Sequence, residues 1–117
     1  MQPIPFKGTV SLGELAQRLH EICDGIERQG DVWKVCADRK GQQFVFVLAP
    51  PSIGGYVCGL YDAEYGWPAD VPIDEGCEPG ILMPGTRRHP FLTRAGRCVA
   101  VALDLGEYED IIKKNAL

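Results

Sequence analysis

The chain has little of what metal sites and disulfide frameworks need. It has two histidines and no Cys-x-x-Cys pair in 117 residues, and its cysteines are Cys23, Cys36, Cys58, Cys77 and Cys98. An odd number of widely spaced cysteines argues against a disulfide framework. A zinc site from Cys77, His89, Cys98 and a fourth ligand stays open as an alternative, although this spacing matches no standard zinc motif. We therefore expect neither a metal nor a cofactor.

Excess basic charge and long apolar runs are also missing. Sixteen acidic residues against twelve Lys and Arg give a net charge of −4, which does not support nucleic-acid binding. The longest apolar runs, 44–51 and 98–103, are too short to span a bilayer. The first residues lack the charged start and apolar core of a secretory signal, so we expect a cytoplasmic protein that binds no membrane. Neither an internal repeat nor a low-complexity segment is visible, and the length predicts a single domain over 1–117.

The pattern near the N-terminus predicts a helix. Apolar residues recur at a spacing of 3.6 residues from Leu12 to Ile26. Ser11 followed by Glu14 is a capping-box pattern, and Gly30 supplies a stop.

The remaining pattern predicts strands, a long loop and a second helix. Residues 32–37 and 43–49 read as two strands of a hairpin that turns at 38–41, and 56–61 reads as a third strand. Residues 62–90 are rich in proline and show no periodicity, which predicts a long loop. A strand over 98–105 and a helix over 106–115 follow. The expected fold is α+β: an N-terminal helix, an antiparallel meander of about four strands, the Pro-rich loop and a C-terminal helix.

An ordered set of short motifs covers the second half of the chain. It comprises Gly54-Gly55, Trp67-Pro68, Pro72, His89-Pro90, Gly96 and Cys98. This set resembles the ubiquitin-conjugating enzyme (E2) family and its RWD-like relatives. That family has a Gly-Gly step, a Tyr-Pro pair with a further proline, a His-Pro-Asn tripeptide and then the catalytic cysteine. The resemblance is closest to compact bacterial E2-like proteins of ubiquitin-like conjugation operons, a setting that implies a role in antiphage defence.

The resemblance implies an enzyme that acts by transthiolation. Cys98 would be the catalytic nucleophile, and it would take a ubiquitin-like modifier from an E1-like activating enzyme and pass it to an amine. His89 and Pro90 would support the site by shaping its loop, together with Gly96. Arg97, and Arg94 beside it, lie close to Cys98 in sequence, and a cation there would lower the pKa of the thiol.

Two other functions remain open. Phe91 stands where the family has its asparagine, and few residues follow Cys98. Both features favour a noncatalytic RWD-like or E2-variant module that binds a partner through the helix or the Pro-rich loop. The third hypothesis is that the chain is an unrelated small α+β protein, such as a phage or defence-associated inhibitor or a metal binder.

Overall fold

A computed structural model describes residues 6–50, 67–74, 79–84 and 88–116 of the chain. The described residues form an α+β fold, as the sequence predicts, with a six-stranded sheet and helices on both of its faces. The elements in chain order are strand β1 (Gly8–Ser11), helix α1 (Leu12–Gln17), helix α2 (Leu19–Gln29), strand β2 (Trp33–Arg39), strand β3 (Gln42–Ala49), strand β4 (Trp67–Pro72), a 3₁₀ helix (Pro79–Leu82), strand β5 (Arg88–Arg94), strand β6 (Arg97–Asp104) and helix α3 (Leu105–Ala116).

The sheet is mixed, which corrects the expected antiparallel meander. Its order is β1-β2-β3-β6-β5-β4. The inner pairs β2–β3, β3–β6 and β6–β5 are antiparallel, whereas the outer pairs β1–β2 and β4–β5 are parallel. The meander prediction was wrong because it did not include β1 and β4, the two strands that form parallel pairs. Parallel strands are joined by a crossover connection, which has no short-range turn signal of the kind that marks a hairpin.

The predicted N-terminal helix is confirmed in position but is divided in two. The Ser11 hydroxyl accepts a hydrogen bond from the Glu14 amide at 3.1 Å, so the predicted N-cap is present. Arg18, at φ −113° and ψ 22°, interrupts the helical backbone between α1 and α2. Gly30 ends α2 in the left-handed conformation, at φ 73°, as the sequence predicts.

Strand β4 and the 3₁₀ helix lie within the segment that the sequence presents as an irregular loop, 62–90. Strand β5 also begins there, at Arg88, so the loop prediction was wrong for these parts. Pro68 and Pro72 argue against a strand on sequence grounds. In the described sheet β4 is an outer strand, where a missing backbone donor is tolerated. The predicted strand at 56–61 lies outside the described residues.

The described sheet consists of two similar units joined along β3 and β6. The first unit is β1, β2 and β3, and the second is β4, β5 and β6. In each unit the first two strands are parallel and joined by a connection, and the third strand is antiparallel to the second. Strands β2 and β5 have seven residues each, and β3 and β6 have eight. Both hairpins turn through two residues with positive φ, Lys40-Gly41 and Ala95-Gly96. Val47 pairs with Leu103 where the two units meet. The structure therefore contains a repeat that we did not find in the sequence.

Two hydrophobic clusters cover the two faces of the sheet. On one face α1, α2 and the residues around the 3₁₀ helix pack on strand residues such as Phe46 and Leu92. On the other face α3 packs on Val47, Val101 and Leu103, chiefly through Tyr108 and Ile111. The described parts of both connections therefore lie on one face, and α3 covers the other together with Phe6, whose ring lies 5.8 Å from that of Tyr108.

Candidate functional site

Cys98 is the second residue of β6, directly after the Ala95-Gly96 turn. The predicted strand here is confirmed, with bounds Arg97–Asp104. Cys98 pairs with Thr93, and the register then shifts by one residue, so that Val99 forms a β-bulge. The thiol is half-buried, and Sγ lies 3.4 Å from the carbonyl oxygen of Ala100 in donating geometry. The candidate nucleophile thus lies within a strand, beside a β-bulge.

The two arginines nearest to Cys98 in sequence form ion pairs with α2. Arg97 donates to Glu27 at 2.6 and 3.0 Å. Arg94 donates to Asp24 at 2.6 Å and to Glu27 at 3.3 Å. The hydrogen bond from Arg97 is the main cause of a lowered pKa for Glu27, and the bond from Arg94 has the same effect on Asp24. Both guanidinium charges are therefore matched by carboxylates.

The direction of these side chains also separates them from the thiol. Neighbouring residues of a strand point to opposite faces. Arg97 points towards α2, so Cys98 points to the face that carries α3. The structure does not place the predicted cation beside the sulfur.

His89 is fully buried in β5 and binds Glu107 of α3. Its Nε2 forms a hydrogen bond with the Glu107 carboxylate, and this contact joins the first turn of α3 to the sheet. His89 precedes Thr93, the partner of Cys98, by four residues, which corresponds to about 13 Å along a strand. Sequence analysis placed His89 in a loop; the structure places it in a strand, away from the thiol.

This separation also bears on the zinc alternative, because zinc ligands must meet at one ion. His89 and Cys98 are too far apart along the sheet to do so. Within the described ranges no three His, Cys, Asp or Glu side chains converge. Cys77 lies outside the described residues.

The other motif residues lie in β4, β5 and the turn. Trp67 and Pro68 pair with Arg88 and His89, and Pro72 pairs with Thr93. The Trp67-Pro68 and His89-Pro90 motifs are therefore adjacent in the sheet.

The surroundings of Pro90, Phe91 and Gly96 are those of residues that support the fold. Pro90 is buried, and Phe91 packs half-buried against the α3 cluster. Gly96 is in the turn at φ 75°, a conformation that favours glycine, which explains its presence without a catalytic role. Gly54 and Gly55 lie outside the described residues.

A second candidate site lies between α2, the outer strand β1 and its neighbour β2, and sequence analysis missed it. It is a cleft of about 390 Å³, here called the α2 cleft, lined by Lys7, Arg18, Glu21, Ile22, Asp24, Gly25, Arg28, Gln29, Asp31 and Trp33. A neighbouring cleft of about 340 Å³ shares Arg18 and Glu21 with it. Both clefts therefore meet at the interruption between α1 and α2.

Arg18 and Trp33 shape the α2 cleft. The Arg18 guanidinium lies 5.7 Å from the centre of the Trp33 ring and hydrogen-bonds Glu21 at 2.8 Å. Gly8 lets the indole lie across β1, because a Cβ at that position would be 2.9 Å from a ring carbon. The Trp33 Nε1 is buried and has no hydrogen-bond partner among the described residues. No sequence signal indicated this cleft, because it depends on the parallel pairing of β1 with β2.

Comparison with protein-family models, with curated proteins and with solved structures finds no match. Among the helices that the structure describes, none has the length and apolar composition to cross a membrane.

Proposed function

We propose that the protein is a partner-binding module that uses the α2 cleft as its contact surface. The observation that carries this proposal is that three charged residues of the cleft form no ion pair with a described residue. Lys7, Arg28 and Asp31 line it and make no ion pair or side-chain hydrogen bond with any described residue. The charge of Arg28 also contributes to the lowered pKa of Asp24, but Arg28 forms no ion pair with a described residue, so all three charges are available to a ligand. A cleft of this volume is in the usual range for binding sites.

The surroundings of Cys98 support a noncatalytic role for this thiol. A catalytic thiol needs its thiolate form stabilised, usually by a nearby cation or histidine. Arg94 and Arg97 are paired with α2, and His89 is buried against Glu107. These contacts engage both arginines that were predicted to lower the pKa of the thiol, and they engage the nearest histidine in the motif as well.

The first experiment compares two thiols of similar burial in the native protein. Cys36 and Cys98 are both half-buried strand residues, whereas Cys23 is fully buried. The native protein is treated briefly with limiting iodoacetamide at neutral pH, and each site is quantified by mass spectrometry, with Cys98→Ser as the assignment control. We expect Cys98 to react no faster than Cys36. Selective modification of Cys98, by about tenfold or more, would overturn the noncatalytic assignment.

The thioester carrier is the second candidate, and the exposure of Cys98 favours it. The half-buried thiol stands beside a hairpin turn and a β-bulge, and bulges are frequent next to active sites. In this reaction the Cys98 thiolate attacks the thioester carbonyl of a ubiquitin-like modifier on an E1-like enzyme. A new C–S bond forms and the E1 thiolate leaves. An amine then attacks, a C–N bond forms, the amine loses its proton and Cys98 leaves as a thiolate.

This second candidate has a direct chemical test. A glycyl-glycine thioester of mercaptoethanesulfonate serves as the acyl donor, and intact mass reports transfer to the protein. Stable acylation that Cys98→Ser abolishes and hydroxylamine reverses would support the carrier. Acylation spread equally over Cys36 and Cys98 would count against it. The two protein partners that the resemblance implies, a ubiquitin-like modifier and an E1-like enzyme, belong to this candidate, whereas the expected cytoplasmic location applies to either.

A further inference from the structure

Some charged residues of the α2 cleft form ion pairs and others do not, and the two groups differ in net charge. Six charged residues line it, three of each sign. Arg18 bonds Glu14 and Glu21, and Asp24 bonds Arg94. The charges that remain are Lys7 and Arg28, which are exposed and positive, and Asp31, which is half-buried and negative. The available groups therefore carry a net charge of one positive unit.

We propose that the α2 cleft binds the free carboxyl terminus of a peptide. A terminal carboxylate carries one negative charge and accepts hydrogen bonds from Lys7 and Arg28, and charge-assisted bonds of this kind are stronger than neutral ones. The amide N–H before it donates to the Asp31 carboxylate. An apolar side chain of the ligand contacts Ile22 and the Trp33 ring, which line the same cleft. This inference rests on the proposed binding function and adds the chemistry of the partner.

The same balance disfavours a phosphate ligand. Among the available charges Asp31 is the single negative one, so a doubly charged anion would exceed the net charge of one positive unit and would meet that carboxylate. A carboxylate brings half of that charge, and its neighbouring amide turns the Asp31 carboxylate from a repulsive group into a hydrogen-bond acceptor. The acceptors in the wall thus select for a ligand with both an anionic end and an adjacent N–H donor.

The test measures the binding of short peptides to the native full chain. Amide shifts in two-dimensional NMR are followed during titration with acetylated tripeptides that end in Leu, Phe, Val or Lys. Each is supplied as the free acid and as the carboxamide, and inorganic phosphate and acetate are titrated separately. We expect at least one free acid to shift the amides around Gly25 and Trp33, and its carboxamide to bind about tenfold more weakly. A ten-residue peptide with the same end distinguishes a protein terminus from a small peptide.

Charge variants locate the site. Lys7→Gln and Arg28→Gln should each weaken the binding of the free-acid peptide by about tenfold and leave the binding of the carboxamide unchanged. Lys113→Gln is the matched control, because Lys113 is an exposed cation on α3, across the sheet. All three positions are exposed, and unchanged melting temperatures would show that the variants fold.

Three outcomes would overturn the proposal: no free acid perturbs the cleft at millimolar concentration, acid and carboxamide bind equally, or phosphate binds as tightly as the best peptide. None of these changes the reactivity of Cys98, so they leave the comparison of thiols intact. A fast-reacting Cys98 together with carboxylate-dependent binding would instead remove the noncatalytic assignment and keep the cleft.

Discussion

Two glycines of the helical layer lie in different surroundings, and we predict that alanine has different effects at the two positions. Gly13 is in α1, and a Cβ built there meets nothing within 4 Å. Gly25 is in α2, and its Cβ would lie 2.6 Å from Oδ2 of Asp31. Glycine in a helix costs about 0.5–1 kcal/mol relative to alanine. Gly13→Ala should therefore stabilise the protein by about 0.5–1 kcal/mol.

At Gly25 the same gain is offset by displacement of the Asp31 carboxylate. Moving a side chain away from its preferred rotamer costs about 0.5–1.5 kcal/mol. Gly25→Ala should therefore change the free energy of unfolding by close to zero. In an Asp31→Ala background the obstacle is gone, and the full gain of about 1 kcal/mol should return.

Urea denaturation followed by circular dichroism gives the four free energies of this double-mutant cycle. For a chain of this size a gain of 1 kcal/mol corresponds to a rise in melting temperature of about 4 °C. The coupling between Gly25→Ala and Asp31→Ala should be about 0.5–1 kcal/mol. If Gly25→Ala stabilises as much with Asp31 present as without it, the contact between α2 and Asp31 does not exist and the cleft has another shape.

Three further predictions concern the sheet and its two covering layers. Ala95→Gly should stabilise by about 0.5–1 kcal/mol in thermal melts, because alanine there has a φ of 54°, and a loss would show that the turn is not left-handed. Tyr108→Phe should stabilise by about 1 kcal/mol, since the buried hydroxyl has no hydrogen-bond partner among the described residues; a loss would reveal such a partner. The lowered pKa of Glu27, caused first by Arg97, adds stability above its ordinary pKa of 4.5, and that stability is lost as the pH falls through the folded value. Glu27→Gln should flatten the acid limb of the stability curve, and an unchanged limb would refute the pairing.

Local signals predicted the inner part of the fold. The Ser11 cap, the Gly30 stop and the alternation before Lys40-Gly41 each act within a few residues, so they are visible in the sequence. Strand β6 was visible because its apolar run is buried between two layers.

The outer strands and the cleft could not be predicted in the same way. Strand β1 has four residues, and its one partner among the described strands, β2, follows two helices. Strand β4 carries two prolines, which are tolerated only because no described strand lies beyond it. The surroundings of Cys98 also depend on long-range contacts, since Arg94 and Arg97 find their carboxylates on α2. The spacing of the motif residues along the chain gave no information about which of their side chains are in contact in the fold.

The similarity of the two units has a consequence for the position of the α2 cleft. Each unit supplies the same strands and the same two-residue turn, yet only the first connects its parallel strands through α1 and α2; the second has a 3₁₀ helix in the described part of that connection. The α2 cleft lies in the helical unit, and its residues Lys7, Arg28 and Asp31 are not part of the join at Val47 and Leu103. Substitutions at these three positions should therefore change the cleft and leave the join between the two units intact.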